Sequence, residues 1–451
     1  MRLSGMSIGL AALLTLISFT SCIPVDPSLG SALVSSDQDI TIRTATLDLP
    51  IGDSRAATDL QSRITSSVTV GSIGTDFYSE GLMSVTPATD SIVWGSNPTV
   101  HRIYLSLVRD STLVLQEDQR YIPQNLYIHQ LTFELDSTHV NGTLDRFKTA
   151  YYEPEPISLG GCVYTGDDAW SVDLRKEIGE RLLNIPMDIR DSAELFMKQF
   201  YGFCIRTDMP DDARLSPDGE GRLNLFDLTS STLYLVWDYT DDQGHRQRST
   251  ASFQLGAYYT LNIYRTLRET SGTEDGTLVV QGLNGNKPWV EASRLRSTVA
   301  DWARTQEIPL ENLVITKATV EFPFEYNGDR HQMDYYAASL FPCQRTVTDG
   351  LPYYAPISEV NETDLEIGAL DRSLLQYKSN ISFYLQRLLK KDAGSLTDED
   401  DLWFMPTLSY YNSSTGVTYY FADNVYYTLT RLNGMNAARH PVLKLTYTVL
   451  K

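Results

Sequence analysis

Apolar residues that recur at every second position run through most of this chain, and that period confines it to a mainly β architecture. Ile103, Leu105 and Leu107 show it, as do Leu126 with Ile128, and Leu131, Phe133 and Leu135. Longer runs follow at Leu233-Leu235-Trp237-Tyr239, at Val314-Thr316-Ala318-Val320-Phe322-Phe324 and at Leu443-Leu445-Tyr447-Val449. Successive side chains of a strand point to opposite faces, so each run buries one face and leaves the other for water or a second layer. Ile40 and Ile42 open the first such strand, and Asp241-Asp242-Gln243-Gly244 between two runs reads as a hairpin turn. Helical spacing is confined to short stretches. Leu174, Ile178 and Leu182 fall four apart; Asp191 with Glu194 forms a capping box before Leu195 to Phe200. Leu295, Val299 and Trp302 mark a third helix, and Ile381, Leu385 and Leu388 a fourth.

The order of these elements repeats. A strand around Ile103 leads to the helix at Ile178, then to the aromatic segment Phe200-Tyr201-Gly202-Phe203 and a closing strand at Leu235. A strand around Ile315 leads likewise to the helix at Leu385, to Trp403-Phe404-Met405 and to a closing strand at Leu445. Ile103 to Ile178 is 75 residues and Ile315 to Leu385 is 70. The expected architecture is a tandem of β-sandwich, jelly-roll-like modules with a few short helices. Its divisions are a signal peptide at 1–21, a lipidated N-terminus and tether at 22–39, a first module with an N-terminal extension at 40–267, and a second module at 277–451. Arg268 to Gly276, polar and without apolar period, would connect the modules.

The N-terminus carries an address. Arg2 is its only charge, Ile8 to Ile17 is apolar, and Thr20 and Ser21 lead to Cys22. The run is too short to span a bilayer, which takes about 20 apolar residues. Phe19-Thr20-Ser21-Cys22 resembles the bacterial lipobox, with Phe19 where Leu is usual, so Cys22 is expected to become the acylated N-terminus and to hold the protein on the membrane. Ile23, not Asp, follows it, which points to the outer membrane; Asp26 is the only acid close by, so the leaflet stays open. Cys162, Cys204 and Cys343 remain, and they read best as buried small apolar residues.

Four segments together carry a family likeness: Phe196-Met197-Lys198-Gln199-Phe200-Tyr201-Gly202-Phe203, Leu278-Val279-Val280-Gln281-Gly282, Leu313-Val314-Ile315-Thr316-Lys317-Ala318 and His440-Pro441-Val442-Leu443-Lys444-Leu445-Thr446-Tyr447. In this order the chain resembles the Bacteroidota outer-membrane lipoproteins catalogued as domain of unknown function forty-two seventy. His440 stands where that family tends to have Arg. The resemblance implies a lipid-anchored envelope protein and supplies no catalytic residues.

The residues themselves offer little chemistry. Lys and Arg number 37 against 57 Asp and Glu, a net charge of −20, and such a surface repels phosphate backbones, so no nucleic-acid partner is expected. Gly5-Met6-Ser7-Ile8-Gly9 spells a nucleophile elbow but lies inside the signal, where no strand-turn-helix can form. The six histidines, His101, His129, His139, His245, His331 and His440, are scattered, and no phosphate loop appears. No catalytic residue, metal ligand or cofactor is expected. Asp208, Asp211, Asp212, Asp218 and Glu220, and the run Asp398-Glu399-Asp400-Asp401, lack the spacing of a calcium loop and read as solvated acids.

Seven Tyr-Tyr doublets stand out, at 151, 258, 335, 353, 410, 419 and 426. A strand-borne doublet offers one ring to each face, and an outward ring can stack on a sugar or enter a protein interface. Tyr410, Tyr411, Tyr419, Tyr420, Tyr426 and Tyr427 lie close together and are the expected contact surface, on successive antiparallel strands. The sequence therefore reads as a non-enzymatic, lipid-anchored envelope protein, a structural or accessory part of an outer-membrane assembly. A glycan-binding surface lipoprotein is the alternative, and a glycan hydrolase a distant third.

Overall fold

A computed structural model describes residues 41–450 apart from 53, 64–66, 74–76, 111–120, 143–149, 161, 209–220, 267–276, 327, 329–332, 335 and 362–366. The fold is mainly β, with several sheets and five short α-helices among the described residues. Cys22, the tether and the whole of the expected connecting loop lie outside them.

The first module is built from β3 (Ser67–Ile73), β4 (Phe77–Pro87), β5 (Ser96–Arg109), β6 (Gln124–Gln130), β7 (Val163–Tyr164), β8 (Ala169–Asp173), β9 (Phe203–Thr207), β10 (Gly221–Thr240) and β11 (Arg246–Thr266). Their order is β7-β6-β9-β4-β11-β10-β5-β8, and β3 bonds to both β10 and β4, closing β3, β4, β11 and β10 into a ring. The long strands change direction at register breaks, Asp227 to Thr232 in β10 and Leu255 to Thr260 in β11. Such breaks let one strand serve two layers. The Asp241 to Gly244 turn is the hairpin expected, with the Gly244 N–H donating to Asp241 O at 3.0 Å.

Helices α1 (Lys176–Leu183), α2 (Met187–Arg190) and α3 (Ala193–Gln199) cover one side. Ile178, Leu182 and Phe196 enter the core with Ile103, Leu105, Leu235 and Phe253. Ser192, not Asp191, caps α3 by accepting from the Leu195 N–H; Asp191 instead accepts from the Ser91 N–H at 2.7 Å. Gly202 closes this stretch at φ +98°, and a Cβ there would meet Met83 O at 2.1 Å, so only glycine lets the chain pass β4 this closely.

The second module stacks two sheets. One runs β1 (Arg43–Asp48), β23 (Val442–Val449), β15 (Leu313–Pro323), β19 (Gln376–Asn380) and β18 (Ile367–Asp371). The other runs β14 (Trp289–Val290), β20 (Leu402–Asn412), β16 (Leu340–Thr348) and β17 (Leu351–Pro356), with β21 (Val417–Ala422) on β20. Phe322 of β15 meets Phe404 of β20 edge to face, centroids 4.6 Å apart. Helix α4 (Ala292–Thr305) lays Trp302 against Tyr447, and α5 (Ser382–Lys390) buries Leu385 and Leu388 in the same core. Small pairings complete it: β2 (Arg55–Ala56) with β13 (Asn286–Lys287), and β12 (Thr277–Gln281) with β22 (Leu429–Asn433).

The opening and closing strands of each half pair antiparallel, β5 with β10 and β15 with β23, in the order the sequence suggests. The N-terminal segment differs from expectation. β1 pairs with β23, Arg43 opposite Tyr447, and Leu49, Ile51, Ala57 and Leu60 join the second core, not the first. Ile42, expected on this strand, precedes it and is exposed. The second module is thus built from both ends of the described chain. Residues 59–62 tie the modules together: Asp59 accepts from Arg345 and Tyr354 at 2.6 and 2.7 Å, while the Ser62 N–H donates to Val140 O at 2.8 Å.

Candidate functional site

β20 has two halves with opposite fates. Leu402 to Pro406 are buried, hydrogen-bonded to β16 and packed in the core. From Thr407 the strand leaves β16 and pairs with β21, Tyr410 directly opposite Tyr419 and Ser409 opposite Tyr420. Asn412 builds the turn: its carbonyl accepts from the Gly416 N–H at 2.8 Å and its Oδ1 from the Ser414 N–H at 3.0 Å, with Gly416 at φ +69°. The outer part of this hairpin stands clear of the body. Tyr410 is 58% exposed, Tyr411 62% and Tyr419 47%. Adjacent residues face opposite ways, so exposure of both Tyr410 and Tyr411 means that both faces of the arm meet solvent.

The base of the arm is anchored. Tyr420 packs on Phe341 with centroids 5.0 Å apart. Phe421, two residues from Tyr419 and on its face, lines a pocket of about 300 Å³ together with Leu60, Pro352 and Tyr353. Tyr353 is itself exposed, whereas its neighbour Tyr354 is buried and bonded to Asp59. Tyr353 and Phe421 are contact candidates that sequence spacing alone passes over, because the fold brings together hairpins distant in the chain.

The third doublet is not part of a strand. Tyr426 and Tyr427 lie in the loop after β21, where Asp423 Oδ1 accepts from the Val425 and Tyr426 N–H groups, both at 2.9 Å. Tyr427 is buried against Phe77, centroids 4.9 Å apart, in a small cluster with Ile73, Tyr264 and Leu283 that joins the two modules. Tyr426 is half-buried beside a second cavity with Arg372 and Asp334. Of the six expected contacts, Tyr410, Tyr411 and Tyr419 are presented to solvent, and the expected platform of three strands is a two-stranded arm.

Two clusters of buried ionisable groups are tied into the structure. Glu80 of β4, 1% exposed, accepts from Tyr78 at 2.6 Å, from Arg206 Nε at 3.2 Å and from Tyr151. Burial and the neighbouring carboxylate push the Tyr78 and Tyr151 phenols and the Cys204 thiol up, so all three keep their protons. Protonated phenols and the Arg206 guanidinium around one carboxylate make a clamp. At the join between modules, Lys287 is wholly buried and donates to Leu283 O and Gly285 O at 3.0 and 2.8 Å. Burial lowers it to about 7 and raises Asp423 to about 6.

The run from Asp398 is solvated as expected only in its first half: Asp398 and Glu399 are exposed, whereas Asp400 and Asp401 are buried. Asp400 pairs with Lys391 and with the Thr397 N–H; Asp401 accepts from the Ala292 N–H at 2.9 Å at the head of α4 and from Trp289 Nε1 at 3.2 Å. Asp208 is the one described member of the other acidic group, and it accepts from Asn125 Nδ2 at 2.9 Å. Cys162, Cys204 and Cys343 are buried and free.

Set against known proteins, the chain matches no family model and no curated protein.

Proposed function

We propose that this protein is a non-enzymatic, lipid-anchored component of the bacterial outer membrane that docks onto an envelope assembly through the β20–β21 arm. The observation that carries the reading is the exposure of Tyr410, Tyr411 and Tyr419 on both faces of one two-stranded arm. Tyrosine gives large contact area for few rotatable bonds, and a groove in a partner can enclose such an arm from both sides. A ring lost from the centre of such a contact typically removes about 2 kcal/mol of binding or more. The apolar run ending at Cys22 supplies the anchor, and the likeness to the Bacteroidota lipoprotein family supports the same address.

A second reading has its own observation. Tyr410, Tyr419 and Phe421 share one face that leads to the Tyr353 pocket, a row on which successive sugar rings could stack. One experiment separates the two. The full chain and its combined Tyr410→Ala, Tyr411→Ala, Tyr419→Ala variant are recovered from detergent-solubilised membranes of the producing cells, and both are applied to a glycan array. Loss of a stoichiometric protein partner from the variant supports the assembly role. Loss of array binding with no protein partner supports the glycan role. Identical behaviour of the two chains refutes the arm as a contact.

A further inference from the structure

The cavity beside Tyr426, about 350 Å³, lies at the foot of the arm, where Pro406, Thr407 and Leu408 of β20 form part of its wall. Met333 and Leu370, which pack on the second core, form another part. Asp423 and Thr428 line it from the loop between β21 and β22. The Asp423 N–H donates to Pro406 O at 2.8 Å, which fixes the acid to β20 at the point where the arm begins.

Two polar groups on these walls lack a counterpart. Asp423 is 5% exposed. Its Oδ1 serves the Val425 and Tyr426 N–H groups, while Oδ2 has no hydrogen-bond partner and the carboxylate no ion pair among the described residues. The buried cation of the same join does not supply one, because Lys287 gives its ammonium to Leu283 O and Gly285 O. Burial pushes Asp423 up to about 6, so at neutral pH it is a desolvated anion without a cation. Thr428 is 8% exposed, and its Oγ1 is buried with no partner among the described residues. Arg372 also lines the cavity but is spent on Asp334 at 3.1 Å. A carboxylate and a hydroxyl so placed suit a cationic head with several N–H donors, and Met333, Leu370, Pro406 and Leu408 suit a methylene shaft behind it. Lysine joins the two. The net charge of −20 favours a basic partner over an acidic one.

We propose that this cavity receives a lysine side chain of the protein on which the arm docks, an inference that rests on the arm reading for its partner. The test titrates the full chain at neutral pH with Nα-acetyl-lysine N-methylamide and with the norleucine compound, which lacks only the amine, by calorimetry and saturation-transfer NMR. The lysine compound should bind with a Kd of about 1 mM or tighter, and the norleucine compound at least about tenfold more weakly. Asp423→Asn keeps an oxygen for the Val425 and Tyr426 N–H groups but removes the charge, and it should weaken lysine binding about tenfold or more. Ala338→Trp acts at an exposed point of the wall, leaves Asp423 as it is and should block the cavity. Both variants should lose the protein partner from solubilised membranes, whereas the combined Tyr410→Ala, Tyr411→Ala, Tyr419→Ala variant should bind the lysine compound as the unaltered chain does. Failure of the lysine compound to bind, equal binding of the norleucine compound, or retention of the partner by both cavity variants would overturn the proposal and leave the arm reading standing. Loss of the partner from the cavity variants but not from the arm variant would instead overturn the arm reading and leave the cavity as the contact.

Discussion

Tyr151-Tyr152 and Tyr410-Tyr411 are the same dipeptide, and the fold uses them in opposite ways. Tyr151 is buried and spends its hydroxyl on Glu80, while Tyr152 lies against His129 and Arg206 at 4.7 and 5.3 Å. Tyr410 and Tyr411 are exposed on opposite faces of the arm. The cause lies in what the neighbouring strand presents. Glu80 is a buried acid that must be given donors, and the segment carrying Tyr151 folds over it to supply them. Beyond Thr407, by contrast, the body meets the arm at Tyr420 and Phe421, while Tyr410, Tyr411 and Tyr419 farther out stay in water. One doublet is consumed by the fold; the other remains available to a partner.

This contrast can be broken at several points. Within β20 itself, Phe404→Ala removes a fully buried ring from the inter-sheet contact and should lower unfolding free energy by about 4 kcal/mol in a denaturant titration. Next in size, Glu80→Ala removes the buried acceptor shared by Tyr78, Tyr151 and the half-buried Arg206, with Tyr78 keeping Thr207 O at 3.1 Å, and the same titration should show a loss of about 3 kcal/mol. A loss below about 1 kcal/mol there would mean that the first doublet is not held by its acid.

The join between modules should respond to pH. Asp423, raised to about 6 from 3.8, contributes stability that is complete in acid and lost as pH rises through 6. Lys287, lowered to about 7 from 10.5, contributes stability that is complete in base and lost as pH falls through 7. Together they place a minimum of stability between those two values, visible as a dip in denaturant midpoint across a pH series. Lys287→Met should flatten the alkaline side of that dip. The smallest effect belongs to the arm. Tyr410→Ala, Tyr411→Ala and Tyr419→Ala should each change unfolding free energy by no more than about 0.5 kcal/mol, as exposed rings do.

Much of the frame was legible because it rests on local signals. The Asp241 turn, the periods of β10, β15 and β23, and the spacing of α1, α4 and α5 each follow from residues close in sequence. Pairing over long separations was not. Nothing in Arg43 to Asp48 says that its partner is Val442 to Tyr447, so this segment reads as an extension of the first module. Asp423-Asn424 looks like a strand-to-strand turn, yet Asp423 organises a loop that carries Tyr427 into the join between modules. The arm was half legible: its turn and its tyrosines are local, but which rings stay exposed depends on how far Phe341 and the Tyr353 hairpin reach along it. The Asp398 run did carry an overlooked signal, since Thr397 three residues before Asp400 is a capping box.

The central claim, that the arm is the contact surface, is tested most directly by a photo-crosslinking residue placed in turn at Tyr411 and at Tyr258 in the otherwise intact chain, followed by irradiation of living cells. Both tyrosines belong to doublets and are exposed, 62% and 51%, but Tyr258 lies in β11 of the first module. The account predicts one discrete crosslinked protein from Tyr411 and none from Tyr258. The same crosslinks from both positions, or a discrete partner from Tyr258 alone, would contradict it.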